Sequence, residues 1–545
     1  MTDTPTNPTP TNSTASTSAT PPTRSDLAAL IARRLDVFRL PGVLSVRPGF
    51  ELVDGWVTAT PAIVVTVDGE RPHGLPSELG GAPVDVRVAS PRKRAALLAP
   101  GSQDARGASS PDLGCVPEFA DEVVIAGVGG EASPAPEIDG VVEDVAVEAA
   151  KKPQLPYAPP AGVPLAPVSG ELTIELAASP DAGWHQLSTF LGATQRELVI
   201  GLYDFTSAHV LAAFEQAARG KKVTLTLDHP SKNPTADQTD EQTVAALRGA
   251  LGGGFEQAWA LSGMDPLATA TVFQTAYHIK VAAQDSTAVW VSSGNWNNSN
   301  QPAIDPVANP GDAAAARSGD RDWHVVVHSP ELTTTFGAYL ANDYAVAAQH
   351  NRATAAFMQP ELLQPAVETP PFARFFPGTT VTGQMTVTPL LTPDPGVYVD
   401  AVKALIASAT TTLHLQFQYI EPPKTTDATN QAFVDLVQAV IDRQQAGVEV
   451  RIIMSEYETA GYLEQLQGMG LDVASSVKLQ NNVHNKGVVV DGRAVLVSSQ
   501  NWSSAGALHN RDAGVIIENA EAAAYFDEIF AHDWNNLAVQ QAAQD

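Results

Sequence analysis

The sequence predicts an α/β fold built from two similar copies, preceded by a small α+β module. Three observations carry this. Strand-like and helix-like segments alternate beyond residue 170. The strand–helix–strand order occurs twice. Each occurrence then reaches nearly the same polar signature. The length of 545 residues accommodates two to four domains.

The elements follow in order. Residues 1–24 are Thr, Pro, Ser and Asn with little to bury, and read as a disordered tail. In residues 25–91, Asp26 stands as an N-cap before LAALIARRLDVF. Three β-like runs follow, VLSV (43–46), AIVVTV (62–67) and PVDVRV (83–88), so this stretch reads as a small α+β module. Residues 92–168 are rich in Pro, Gly and Ala (ASPAPEIDG, KKPQLPYAPPAGVPLAP) and read as a linker. The first copy occupies 169–370, where RELVIGLYDF (196–205) precedes VLAAFEQAARGKKVTLTLDH (210–229). The second occupies 371–545, where TTLHLQFQYI (411–420) precedes FVDLVQAVIDRQQAGVEVRIIMSE (433–456). In both, the apolar helix positions fall three and four apart and a Gly follows the helix.

Composition narrows the function. Hydrophobic residues make up 44% and charged residues 17%, enough to bury cores. The formal charge of −28 argues against a protein that coats nucleic acid. It argues equally against docking on anionic lipid through a polybasic face. Cys115, the single cysteine, excludes an internal disulfide framework and a Cys-based zinc site. The remaining histidines match no spacing such as H-E-x-x-H, so neither metal nor cofactor is expected. No secretory signal is visible and no run of about 18 apolar residues occurs. These features predict a cytoplasmic protein without a membrane span.

The polar signature is H-x-K-x4-D. The first copy reads HIKVAAQD, with His278, Lys280 and Asp285, and the second HNKGVVVD, with His484, Lys486 and Asp491. Downstream come Ser293 and Asn295 in VSSGNW, and Ser499 and Asn501 in VSSQNW. Asp322 in DRDWHVVV then matches Asp512 in NRDAGVII, and FGAYLANDY (336–344) matches FDEIFAHDW (526–534). The last two pairs are both 190 residues apart, whereas the histidines are 206 apart, so the first copy carries 16 extra residues in between.

Residues i and i+2 of an extended chain share a face, so each His points with its Lys. Two such copies around one pocket offer two imidazoles, two ammonium groups and two amides. Lysines and amides suit phosphoryl oxygens. One imidazole can attack while the other protonates the leaving oxygen. A single H-x-K arises by chance in a chain this long, but two copies with Asp, Ser, Asn and a further Asp in step do not. Asp285 and Asp491 stand an odd number of residues from the His, and Asp491-Gly492 reads as a turn, so both acids are assigned to structure. Trp296 and Trp502 read as core.

The doubled pattern resembles the phospholipase D superfamily over about 171–545. The usual Gly before the motif Ser is replaced by Ser292 and Ser498, both small. The resemblance implies two α/β/α halves related by a pseudo-two-fold axis, with the active site at their junction. It implies metal-independent phosphodiester cleavage or transphosphatidylation through a phosphohistidine. His278 would be the nucleophile and His484 the general acid. Asp322 and Asp512 would hold the His rings through their second nitrogen. Lys280, Lys486, Asn295 and Asn501 would complete the catalytic set, with Ser293 and Ser499 binding substrate.

Residues 171–545 carry 19 Lys plus Arg against 40 Asp plus Glu, a net of −21. This favours a phospholipid or small phosphodiester, and a role in lipid degradation, over a long nucleic-acid strand. A nucleic-acid phosphodiesterase is the alternative, and a non-catalytic scaffold a third reading that the intact motifs oppose. Both motifs lie in one chain, so a monomer is expected to hold the whole site.

Overall fold

A computed structural model of the chain describes residues 22–53, 56–89, 123–125, 152–228, 236–265, 267–350, 374–423, 426–455, 458 and 460–539. The predicted tail up to residue 21 and most of the predicted linker, with Cys115, lie outside the described residues.

The N-terminal module begins with helix α1 (Arg24–Arg33). Its cap is Thr23 rather than Asp26. The Thr23 hydroxyl accepts from the Asp26 amide at 3.2 Å while the Asp26 carboxylate accepts from the Thr23 amide at 3.0 Å. This reciprocal box satisfies two donors of the first turn and moves the start of the helix back. Strands β1 (Val43–Val53), β2 (Trp56–Val67), β3 (Glu78–Leu79), β4 (Ala82–Val88) and β5 (Val123–Val124) form a sheet ordered β3-β4-β2-β1-β5. Strand β5 comes from within the predicted linker and pairs with Ser45 and Val46. At the linker's other end Leu155, Tyr157, Val163 and Leu165 pack on the main core. The prolines there withhold backbone donors, yet the apolar side chains between them still bury. The linker assignment is corrected to that extent.

The first copy runs β6 (Val168–Ser179), α2 (Gly183–Ala193), β7 (Glu197–Leu202), α3 (Ala208–Ala218), β8 (Lys222–Leu227), α4 (Asp240–Leu251), β9 (Phe255–Trp259), β10 (Lys280–Gln284), β11 (Ala288–Ser292), β12 (Asp322–His328) and α5 (Pro330–Ala347). The second runs β13 (Thr379–Thr392), α6 (Val397–Ala407), β14 (Thr412–Phe417), α7 (Gln431–Gln445), β15 (Glu449–Met454), α8 (Ala460–Met469), α9 (Val473–Ser476), β16 (Val477–Leu479), β17 (Lys486–Val490), β18 (Ala494–Ser498), α10 (Ser504–Leu508), β19 (Asp512–Glu518) and α11 (Ala520–Asn536). The glycines after the repeated helices, Gly220 and Gly447, both adopt positive φ, which lets the chain turn back into a parallel strand.

All these strands join one sheet ordered β16-β15-β14-β17-β18-β19-β13-β6-β12-β11-β10-β7-β8-β9. Replacing each strand by its counterpart in the other copy returns the same order read backwards. At the centre β6 and β13 pair antiparallel, with Glu171 opposite Gln384. The sheet order is therefore that of two α/β halves related by a pseudo-two-fold axis. Each half covers one face of its sheet with its own helices: α2 and α3 carry Leu187, Phe190 and Phe214, and α6 and α7 carry Val402, Ile406 and Leu436. A shared core lies between the halves, joining Trp323 and Val325 of β12, Val495 and Val497 of β18, Phe336 of α5 and Phe526 of α11. Trp323 stacks on Phe526 across the seam, with centroids 4.6 Å apart.

The N-terminal module docks on the second half. Val57 is fully buried in that half's core. Arg47 and Arg87 both reach Glu464 on α8, Arg87 at 2.6 Å, and neither Arg47 nor Glu464 has an exposed side chain. A carboxylate stripped of water in this way is held by two guanidinium partners.

Candidate active site

Each motif histidine lies in the extended segment that enters a strand, His278 before β10 and His484 before β17. These segments run beside the residues that enter β12 and β19 of the opposite half. Arg321 donates its amide to the Asn482 carbonyl at 2.7 Å, and His484 donates its amide to the Arg321 carbonyl at 3.1 Å. In the mirrored place Arg511 donates to the Ala276 carbonyl at 2.9 Å. This lacing puts each acid against the histidine of the other half. His278 Nδ1 lies 2.8 Å from Asp512 Oδ1, and His484 Nδ1 lies 3.0 Å from Asp322 Oδ1. A carboxylate on Nδ1 fixes the proton there and turns Nε2 towards the reaction.

The lysines stay close to their own histidines. Lys280 Nζ donates to the His278 carbonyl at 2.7 Å and lies 5.2 Å from the centroid of the Tyr203 ring. Tyr203 meets the His278 ring edge-on at 4.9 Å. Lys486 Nζ stands 3.1 Å from His484 Nε2 and also donates to the His484 carbonyl. Asn295 and Asn501 are buried, and Asn295 Oδ1 meets no hydrogen-bond donor among the described residues. Burial opposes ionisation of Asp322, but His484, its hydrogen bond and Lys486 outweigh that and hold the carboxyl down to about 2.

Ser293 and Ser499 depart from the expected substrate contact. Ser293 Oγ donates to Asp322 at 2.6 Å and accepts the Trp323 amide at 3.0 Å. Ser499 Oγ donates to Asp512 at 2.6 Å and accepts the Ala513 amide at 3.1 Å. With its proton and a lone pair engaged, each hydroxyl fixes a carboxylate. Ser292, in the place of the usual Gly, accepts the Gly294 amide at 2.8 Å and bonds His324 Nδ1 at 2.7 Å.

Asp285 and Asp491 sit at the far ends of β10 and β17, five residues and roughly 16 Å from the lysines. Both adopt positive φ in the hairpin turns. Asp285 accepts the amides of Gln195, Arg196 and Glu197, and Asp491 those of Thr410, Thr411 and Thr412. These bonds tie each hairpin to the start of β7 or β14. Trp296 and Trp502 are fully buried, against Phe205 and Phe417.

Sequence reasoning passed over a second set of residues. Arg321 binds Asp533 of the other half at 2.8 Å and Asp181 at 2.9 Å. Arg511 binds Asp343 of the other half at 2.8 Å and Asp394 at 3.4 Å. The signal was present. Arg321 and Arg511, like Asp343 and Asp533, share the 190-residue spacing of the two acids, and each Arg directly precedes one of them.

Residues 402–534, which include the second motif, match the family described as "Cardiolipin synthase, PLD-like domain". A curated phospholipase D of Rickettsia felis is 31% identical over 101 residues, 18% of this chain and 48% of that protein. Residues 402–534 thus carry a phospholipase D-like domain. The chain's match spans about half the length of that relative. Among solved structures, phosphatidylserine synthase of Haemophilus influenzae Rd KW20 is 12% identical, covering 68% of this chain and 87% of its own, with a TM-score of 0.47. The phospholipase D family member Nuc of Salmonella typhimurium is 21% identical, covering 29% of this chain and 99% of its own, with a TM-score of 0.23. At TM-scores this low neither likeness carries an inference.

The doubled H-x-K-x4-D pattern thus holds two crossed His–Asp couples. Among the described residues no helix is long and apolar enough to cross a membrane, and no group of three or more His, Cys, Asp and Glu is placed to hold a metal ion.

Proposed function

We propose that the chain is a metal-independent phosphodiesterase of phospholipase D type, acting on a phospholipid or small phosphodiester. The observation that carries this is the pair of crossed His–Asp couples, each with a Lys two residues on. His278 Nε2 attacks phosphorus while the P–O bond to the leaving alcohol breaks, and His484 delivers a proton to that oxygen. Asp512 holds the Nδ1 proton of His278 as the ring takes up positive charge. Lys280, Lys486, Asn295 and Asn501 draw on the non-bridging oxygens as their charge builds. In the second step His484 takes a proton from water, or from an acceptor alcohol, and the new oxygen displaces His278 from phosphorus. Each couple draws on both halves of one chain, so a monomer suffices. The net charge of −21 over residues 171–545 favours the lipid reading over nucleic acid.

The test is a parallel assay of phosphatidylcholine, single-stranded DNA and double-stranded DNA in EDTA, with acid-labile phosphate on the protein trapped in mid-turnover. Release of choline with labelled His278 is expected. Cleavage of DNA alone moves the substrate class to nucleic acid. A complete loss in EDTA that a divalent ion restores overturns the mechanism.

A further inference from the structure

The two couples are nearly symmetric, and the chemistry above needs them to differ. One departure from symmetry lies beside them. Two residues before Asp322 stands Asp320, whereas two residues before Asp512 stands Asn510. We infer that Asp320 is an electrostatic positioning residue that makes His484, rather than His278, the imidazole that holds the proton to be donated. This rests on the proposed phosphodiesterase reading for its meaning, but not for its test.

Geometry supports the placement. Arg321 bridges Val483 in parallel register, so the segment 320–322 runs alongside 482–484. Positions 320 and 322 of this extended segment share a face. The Asp320 carboxylate accepts from Asn300 Nδ2 at 2.8 Å and its amide donates to the Ser299 carbonyl at 2.7 Å, which holds the side chain in place. Its charge acts on His484, Asp322 and Lys486. The neutral Asn510 instead accepts from Thr275 Oγ1 and, at 3.1 Å, from the Ala276 amide. His484 therefore has Asp322 on its ring and Asp320 two residues away along the neighbouring segment, where the mirrored place beside His278 and Asp512 holds the neutral Asn510.

Lys486, on the strand that His484 enters, opposes protonation of the ring from 3.1 Å. Arg321, between the two acids, is turned away onto Asp533 and Asp181. A phosphoryl group that draws Lys486 onto its oxygens leaves the two carboxylates to set the proton affinity of His484. Loss of water at the half-buried Asp320 raises its carboxyl above the usual range, with His484 opposing and Asp322 adding to the rise. Sharing charge with a protonated His484 relieves that penalty.

The experiment follows individual imidazole rings by nitrogen NMR in histidine-labelled protein, with His484→Asn and His278→Asn used for assignment. Asp320→Asn keeps shape and removes charge. It is expected to lower the titration midpoint of His484 by about one unit and to move no other ring as far. Asn510→Asp places the charge in the other half, and is expected to raise the midpoint of His278. In phosphodiester hydrolysis the basic limb of the pH profile should move down in Asp320→Asn for an alkoxide-leaving substrate, and stay in place for a nitrophenyl ester. A His484 midpoint unmoved in Asp320→Asn, together with a His278 midpoint unmoved in Asn510→Asp, overturns the inference. Because the ring titrations need no turnover, a protein without phosphodiesterase activity would defeat the proposed function and still decide this point.

Discussion

His278 is held by Asp512, an acid 234 residues further along the chain and in the other half of the sheet. The mirrored couple, His484 with Asp322, spans 162 residues. Neither half can orient its own histidine. The arginine beside each acid, Arg321 or Arg511, is locked to the last helix of the opposite half. One dipeptide thus performs two tasks, with the Arg joining the halves and the Asp aligning the ring.

The crossed couples predict crossed phenotypes. Asp512→Asn disturbs the tautomer of His278 and should cut formation of the phosphoenzyme by about 10²–10⁴-fold for any leaving group. Asp322→Asn disturbs His484 and should slow alkoxide-leaving substrates far more than a nitrophenyl ester. Burst kinetics with both substrates check this. Equal losses for both variants on both substrates would reverse it.

Ser293→Ala and Ser499→Ala separate carboxylate positioning from substrate binding. Each removes one hydrogen bond to a carboxylate that holds a motif histidine, so kcat should fall about tenfold with KM little changed. A rise in KM at constant kcat would restore the substrate-binding role first expected of these residues.

Arg321→Met removes the partner of two buried carboxylates, Asp533 and Asp181. The expected loss is about 3–5 kcal/mol in urea unfolding, since a stranded buried charge costs far more than the pair contributes. Adding Asp533→Leu to that variant should recover part of the loss. A double variant no more stable than the single one would show that the pair is not coupled.

His324 supplies a pH dependence distinct from catalysis. It is fully buried between Ser179 and Ser292, and burial lowers its pKa to about 4. The unfolded chain binds this proton near the ordinary imidazole value of 6.5, so unfolding takes up a proton between these limits. Its contribution is complete above about pH 6.5 and is lost as the pH falls towards 4. Between pH 7 and 5 the loss is roughly 2 kcal/mol. Urea unfolding at the two pH values should show that drop, and His324→Gln should be flatter over the same range.

The fold and the motif residues were legible because two independent repeats agreed. The helix spacing of three and four marked α3 and α7, while the polar signature marked β10 and β17. What stayed hidden needed contacts rather than spacings. Nothing in the order of residues says that Asp512 serves His278 instead of His484. Nor does it say that Arg47 meets Glu464, 417 residues away. Ser293 misled because a hydroxyl suits a phosphoryl oxygen and a carboxylate equally well. The region 92–168 misled because its prolines break regular structure without preventing Leu155 and Tyr157 from burying.

At the middle of the sheet β6 lies against β13, its own counterpart, with Glu171 facing Gln384. That arrangement is what an isologous pair of identical subunits would adopt if each offered one strand edge to the other. Joining the two copies into one polypeptide keeps that central edge paired at any concentration, which closes a route to unwanted pairing between molecules. It also frees the two copies to diverge. A residue such as Asp320 can then be acquired on one side alone, an option closed to any assembly whose subunits share a single gene.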